Sequence, residues 1–212
     1  MKTLPMFLLL ACGTLAGRAA EPAAPGSLPF IWIKLDDPAA ATIRRNAEQV
    51  IQRVGTTLIY EVERAVQTDG VGQALELAHL KNFAPPKLPA NQPQLAAIKL
   101  TSLQIRDPAN APDAADQAVL AKIDAALQEG DDVPPLMMQL VTPVGAPPEW
   151  RVYRPISTMP VCLKCHGPAE SLAPEVRAWL TQHYPNDAAT GYTGYQWRGL
   201  LRVSFSDAPR TK

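Results

Sequence analysis

The chain contains three cysteines among 212 residues, and two of them lie in the segment Cys162-Leu163-Lys164-Cys165-His166. Cys-x-x-Cys-His is the attachment motif of a c-type haem, because two thiols at this spacing form thioethers with the two porphyrin vinyl groups while the adjacent imidazole coordinates the iron. By chance the motif arises in about one sequence per thousand of this composition. The sequence therefore predicts one covalent haem, attached through Cys162 and Cys165 with His166 as proximal iron ligand, and a fold that encloses it.

Two other uses of the paired cysteines stay open. One is a disulfide between Cys162 and Cys165, although the βαβ pattern that accompanies a thioredoxin-like pair is not evident in the sequence. The other is a structural zinc site, which needs four ligands, and beyond His166 only His183 or a distant residue would complete the set. Haem is the favoured interpretation because the motif includes the adjacent histidine.

The composition excludes several classes of protein. Twenty Lys and Arg balance twenty Asp and Glu, and a net charge of zero does not favour a nucleic-acid or anionic-membrane partner. A hydrophobic content of 47% argues against disorder, and 22 prolines predict many turns. The length fits a single domain with its own core.

The N-terminal segment has the order of a secretory signal. Lys2 is followed by an apolar run from Leu4 to Gly17 and by small residues around Arg18. The run is shorter than the roughly 20 apolar residues of a transmembrane helix. We therefore expect a signal peptide over residues 1–19 and a periplasmic protein, matured by the haem c attachment machinery and exchanging electrons with an unidentified redox partner.

The same segment contains a second processing motif. Leu9-Leu10-Ala11-Cys12 resembles a lipoprotein cleavage site, in which Cys12 becomes the acylated N-terminus. The protein would be anchored to a membrane if Cys12 is acylated, and soluble if Cys12 is removed with the signal. The remaining chain divides into a flexible lead-in over residues 20–36 and a single haem domain over residues 37–212.

Hydrophobic periodicity predicts helices in the first part of the domain. Asp37 and Pro38 predict the start of a long amphipathic helix, which Asp69-Gly70 ends. A second helix is predicted from Gly72 to Phe83, with Leu75, His79 and Phe83 on one face. The apolar positions of the long helix recur at threes and fours: Ile43, Ala47, Val50, Ile51, Val54, Leu58, Val62 and Val66.

Strands predominate in the second part. The predicted elements are a strand over Ile98–Ile105, a helix from the cap at Asp113 to Gly130, a hairpin of Leu136–Val141 with Trp150–Ile156, a helix over Pro174–Tyr184, and a last strand in which Leu201, Val203 and Phe205 alternate. Helices followed by strands and short helices favour an α+β domain with a mostly antiparallel sheet.

Several longer segments carry a resemblance to a known family. They are LTSLQIRDPANAPD (100–113), RVYRPISTMPVCLKCHG (151–167), PEVRAWL (174–180), YPNDAATGY (184–192) and WRGLLRVSF (197–205). In this order they resemble a bacterial family of single-haem c-type proteins, long described as a domain of unknown function. The resemblance implies a PAS-like fold, with the long N-terminal helix and flanking helices around one covalent haem, used for electron transfer or redox sensing.

The resemblance also bears on the second axial ligand. Family members often carry a cysteine at the position that aligns with Ala78, and the neighbouring His79 is the candidate distal ligand here, although one helical position is a turn of about 100°. Otherwise His79 is a core or partly exposed histidine without a metal. The weaker candidates are His183, Met137, Met138 and Met159, and an iron without a distal ligand stays open.

Two arginines are candidate partners for the haem propionates. Arg106 and Arg154 would each bind a carboxylate through a bidentate guanidinium, although a solvated surface role is the simpler interpretation for either. The loop from Arg106 to Asp113 is equally interpretable as a structural turn. The aromatic residues near the motif either line the ring or fill the core, and we favour the core: Trp150, Tyr153, Tyr192 and Trp197.

These residues favour an exported cytochrome c-like protein that transfers single electrons or senses redox state without turning over a substrate. The alternative is a haem-based sensor of a small gas, which needs an open or labile distal site, and this chain has no recognisable output segment. A peroxidase needs a distal acid or base beside an open iron. No such group is evident in the sequence, so an enzyme is the least favoured class.

Overall fold

The computed structural model describes residues 29–77 and 87–206. The predicted signal, Cys12, and the end of the second predicted helix with Ala78, His79 and Phe83 lie outside the described residues. None of the helices in this described part is long and apolar enough to cross a membrane. The elements in chain order are β1 (Phe30–Ile33), α1 (Ala41–Thr68), α2 (Val71–Leu77), β2 (Gln94–Thr101), α3 (Ala114–Glu129), β3 (Met137–Val141), β4 (Glu149–Ser157), α4 (Leu163–His166), α5 (Pro174–His183) and β5 (Trp197–Ser206).

The strands form one antiparallel sheet in the order β1-β3-β4-β5-β2. Helix α1 packs on one face, where its apolar residues meet Val152 of β4 and the alternating Leu201, Val203 and Phe205 of β5. Helix α3 packs on the opposite face against Tyr153 and other buried side chains. The α+β class and the mostly antiparallel sheet are thus confirmed, and the arrangement is consistent with a PAS-like fold.

Local sequence signals fix the two long helices. Asp37 accepts a hydrogen bond from the Ala39 amide at 2.9 Å and begins the single 3₁₀ turn that leads into α1. Helix α3 starts at a reciprocal capping box of Asp113 and Asp116 and ends at Gly130, whose φ of 76° favours glycine. Both helices and the β3–β4 hairpin lie where the sequence predicts them.

Strand β2 differs from its prediction over Ile98–Ile105. It begins at Gln94 and ends at Thr101, because the Ser102 hydroxyl accepts the Gln104 amide at 3.0 Å and turns the chain. Gly199 of the neighbouring β5, at φ 151°, lies so close to Thr101 that a Cβ would collide with the Thr101 carbonyl oxygen. After Thr101, the segment 102–107 leaves the sheet and approaches the site described below.

Strand β1 was not predicted. It falls within the lead-in assigned to residues 20–36, yet its backbone pairs with β3 from Phe30 opposite Val141 to Ile33 opposite Met138. The four residues show no alternation of exposed and buried positions, since the two central ones are exposed. The lead-in assignment is therefore wrong for residues 30–33.

Candidate functional site

An apolar cavity of about 370 Å³ lies between the first two helices and the segments that follow β2 and β4. Helices α1 and α2 contribute one part of its wall: Val54, Gly55, Leu58, Ile59, Val62, Ala74 and Leu75. Clefts of this size and character are typical of small-molecule and cofactor sites. The remaining wall includes the Cys-x-x-Cys-His segment.

The motif forms a single helical turn, α4, that begins after Cys162. The Cys165 and His166 amides donate to the Cys162 carbonyl at 3.1 and 2.9 Å, so the turn holds all three side chains on one side of the cavity. Both cysteines are free thiols. Gly167 follows the last residue of the turn. The position requires glycine, because a Cβ there would lie 2.6 Å from the Leu163 carbonyl oxygen.

His166 is held as a neutral imidazole. Burial, together with the nearby cations Arg106 and Arg198, lowers its pKa to about 3, although the hydrogen bond to Ala189 acts in the opposite direction. The His166 Nδ1 lies 2.7 Å from the Ala189 carbonyl oxygen, and a carbonyl only accepts, so Nδ1 carries the proton. The lone pair is therefore on Nε2, as an iron ligand requires.

Arg106 lies on the cavity wall, as its predicted role requires, but protein groups occupy its guanidinium. Its Nε donates to Asp187 at 3.0 Å, and one terminal nitrogen donates to the carbonyls of Cys165 and Ala189. Arg106 therefore binds the loop that faces His166. The Arg106–Asp113 segment begins with this contact and continues into the capping box of α3.

Arg154 is not brought to this cavity. It is exposed and lines a separate, shallow groove with Trp197. Arg198 lines the cavity instead, where burial lowers its pKa. Its guanidinium donates to the Gln104 carbonyl at 3.1 Å and lies 5.1 Å from the ring centre of Tyr192. The sequence did not indicate Arg198, because one arginine within a strand carries no local signal of pocket contact.

The alternative iron ligands are dispersed. His183 is exposed and stacks on Trp179 at 4.0 Å between ring centres, and its Nδ1 lies 2.8 Å from the Trp179 carbonyl oxygen. Met137 and Met138 are buried in the two cores that flank β3. Met159 lies on the cavity wall and is 40% exposed. In the described part of α1 and α2, the cavity wall offers no iron ligand.

The four aromatic residues pack in or against the interior, as the sequence predicts. Trp150, Tyr153 and Trp197 pack against the two cores of the sheet. Tyr192 is buried and meets the His166 ring edge-to-face at 6.3 Å between centres. Tyr192 is therefore part of the buried interior, where it also packs against the imidazole.

Two observations bear on what the cavity can hold: the open space beside α1, which a flat apolar group would need, and the ligands, which a zinc ion would need. Gly55 lies on its wall in the middle of α1, and a Cβ there would meet no atom within 4 Å, so the helix backbone is open to a close neighbour. Over residues 29–77 and 87–206, no three His, Cys, Asp or Glu side chains converge as a metal site requires. The described residues therefore lack the ligands that the zinc alternative needs.

The fold and this site define an α+β protein whose antiparallel sheet supports an apolar cavity with a Cys-x-x-Cys-His motif on its wall. The model of the Tll0287-like family matches residues 39–206, and the chain belongs to that family. Its structure is similar to that of the cyanobacterial haem protein Tll0287, at 21% identity and a TM-score of 0.47, over 83% of this chain and 99% of that one. The comparison with curated proteins gave no match.

Proposed function

We propose that the chain is an exported single-haem c-type protein that transfers single electrons or reports redox state. The observation that carries this proposal is the joint placement of Cys162, Cys165 and a neutral His166 on the wall of one apolar cavity. The name of the similar cyanobacterial protein supports the same cofactor. The bound haem would supply an iron centre that gains and loses one electron.

Attachment uses the two thiols of the motif. Each thiol would add across one vinyl C=C bond of a bound haem: the sulfur would bond to the inner carbon, the thiol proton would go to the outer carbon, and no group would leave. The addition is redox-neutral and needs no co-reactant beyond haem. Such attachment takes place outside the cytoplasm, so the proposal includes export by the N-terminal signal, with Cys12 either removed with the signal or the acceptor of a lipid anchor.

The residues around the cavity have distinct roles in holding the ring. His166 would offer Nε2 to the iron, and the apolar residues that α1 and α2 contribute to the cavity wall would exclude water from the ring. Arg198 is a mostly buried cation whose hydrogen-bond acceptors are a carbonyl and a tyrosine hydroxyl. A haem propionate would supply the negative charge that a buried guanidinium requires.

His79 is the proposed distal ligand. In the second helix that the sequence predicts over residues 72–83, it follows Leu75, a buried residue on the cavity wall, by four positions, or one expected helical turn. His79→Ala should convert a six-coordinate, low-spin spectrum into a high-spin one that responds to CO. An unchanged low-spin spectrum of His79→Ala would assign the distal position to another residue.

The test of the proposal is expression of the full chain, with its signal, in a host that attaches haem c. A pyridine haemochrome assay should find one covalent haem per chain, and the double variant Cys162→Ala/Cys165→Ala should retain none. Cys12→Ala is the matched cysteine control and should keep its haem. Covalent haem in the double variant, or its absence from the wild type, would overturn the proposal.

A gas sensor is the second candidate, favoured by the absence of an iron ligand from the described wall of α1 and α2. Oxidised, reduced and CO-treated spectra of the wild type separate the two functions. A sharp reduced α-band that CO leaves unchanged supports the electron carrier. A CO-shifted spectrum supports the sensor.

A further inference from the structure

The carbonyl oxygen of Ala189 accepts hydrogen bonds from two side chains. His166 Nδ1 lies 2.7 Å away, and a terminal nitrogen of Arg106 lies 3.3 Å away. A carbonyl oxygen has two lone pairs and accepts both donors. The Ala189 carbonyl oxygen therefore accepts hydrogen bonds from both the proximal imidazole and a cation.

Asp187 holds this arrangement in place. One carboxylate oxygen accepts from Arg106 Nε at 3.0 Å, and the other accepts from the Ala189 amide at 2.8 Å. The Ala188 amide donates to the carbonyl of Ile105, next to Arg106, at 3.0 Å. The two side chains of the ion pair are only 13% and 9% exposed, so the loop is fixed against a pair that water reaches poorly.

We propose that Arg106 and Asp187 form a positioning pair that sets the strength of the hydrogen bond from His166 Nδ1 and so raises the reduction potential of the haem. The inference rests on the function proposed above. A strong acceptor at Nδ1 makes an axial imidazole more basic, which favours oxidised iron. The guanidinium withdraws electron density from the shared carbonyl, and its positive charge also disfavours the oxidised centre.

This role differs from the propionate contact that the sequence suggested for Arg106. In the structure its guanidinium faces Asp187 and the backbone of the loop opposite His166. Arg106 is thus a positioning residue, which acts on the iron through the imidazole.

The main test is Arg106→Gln in the haem-loaded protein. Loss of the cation should lower the equilibrium constant for reduction by about tenfold, which is about 59 mV for one electron. In the reduced state the Nδ1 proton resonance of His166 should move downfield, because the freed carbonyl becomes a stronger acceptor. Arg177→Gln is the matched control: it removes an exposed guanidinium on α5 and should change neither value.

Arg106→Lys separates charge from geometry. Lysine keeps the cation but cannot reach Asp187 and both carbonyls at once, so the proton resonance should stay shifted while the potential recovers in part. If Arg106→Gln folds poorly, Asp187→Asn provides the second variant, since it releases the guanidinium and should also shift the resonance.

Three results would overturn the inference. They are an unchanged potential in Arg106→Gln with wild-type haem content, an unchanged Nδ1 proton resonance in that variant or in Asp187→Asn, and full recovery of both values by Arg106→Lys. Absence of covalent haem from the wild type would instead overturn the proposed function.

Discussion

At the scale of single residues, the most constrained charge outside the cavity is Asp116. Its fully buried carboxylate accepts from Arg202 at 2.9 and 3.0 Å and from Lys99 at 3.3 Å. The Tyr153 hydroxyl lies 3.3 Å from the same group. Burial of a carboxylate is unfavourable unless it is paired and hydrogen-bonded, and Asp116 meets both conditions.

We expect Asp116→Asn to lower the free energy of unfolding by about 3–5 kcal/mol, because it removes the fully buried counter-ion of Arg202 and Lys99 and leaves Arg202 only the more exposed Asp113 at 3.3 Å. Urea unfolding followed by circular dichroism measures the change. The matched control is Asp132→Asn, at an exposed turn position, which should stay within about 0.5 kcal/mol of the wild type. The folded fraction should keep its haem, since Asp116 does not line the cavity. A loss below about 1 kcal/mol would contradict this account of the cluster.

At the scale of elements, the sequence was most informative where the signal is local. The bounds of helix α3 can be predicted from three residues: the capping pair Asp113 and Asp116 marks its start, and the left-handed Gly130 marks its end. Strand β1 could not be predicted, because its pairing with β3 depends on residues more than a hundred positions away. The start of β2 was missed for a similar reason, since it depends on pairing with β5, where Gln94 lies opposite Ser206.

The candidate site divides in the same way. Cys162, Cys165 and His166 form a contiguous motif that a single sequence reveals. The residues that surround them come together only through the tertiary fold. They are Arg198 and Asp187, and Asp187 binds Arg106 from 81 positions away. A sequence carries no periodicity that reports such contacts, so the motif was found and its supporting shell was not.

Helix α1 provides a test of how the cavity is used. Gly55→Leu places a side chain where the structure leaves open space, and it should prevent most of the covalent haem from being attached. The helix itself should gain stability, since glycine is about 0.8–1.0 kcal/mol worse than the best helix formers. Haem content is measured by pyridine haemochrome and stability by thermal unfolding.

Gly72→Leu is the matched control for this variant. Gly72 also lies in a helix with open space around its Cβ position, but it is exposed and does not line the cavity. It should keep wild-type haem content. Equal haem content in both variants would show that the ring does not occupy the space beside Gly55.

At the scale of the whole molecule, the cavity lies beside two cores, and its wall takes Val54 and Leu201 from the core between α1 and the sheet. Strands β4 and β5 are covered on both faces, by α1 on one side and α3 on the other. Beside the cavity lies a smaller cluster that joins α2 to α5, formed by Leu75, Leu172, Val176 and Leu180 with Cys165 packed against it. A bound ring would extend this small cluster, whereas the sheet also packs against α3, which does not line the cavity.

We therefore expect the haem-free variant Cys162→Ala/Cys165→Ala to lose order locally. Amide hydrogen exchange should become faster by at least about tenfold in α2, α4 and α5, while β4 and β5 keep their protection, because local opening costs least where few apolar groups are buried. Mass spectrometry of peptides from the haem-loaded wild type and the variant makes the comparison, and Cys12→Ala should behave as the wild type. Equal acceleration in the strands would mean that the haem stabilises the whole fold, and no acceleration in α2, α4 and α5 would mean that the small cluster is stable without the ring.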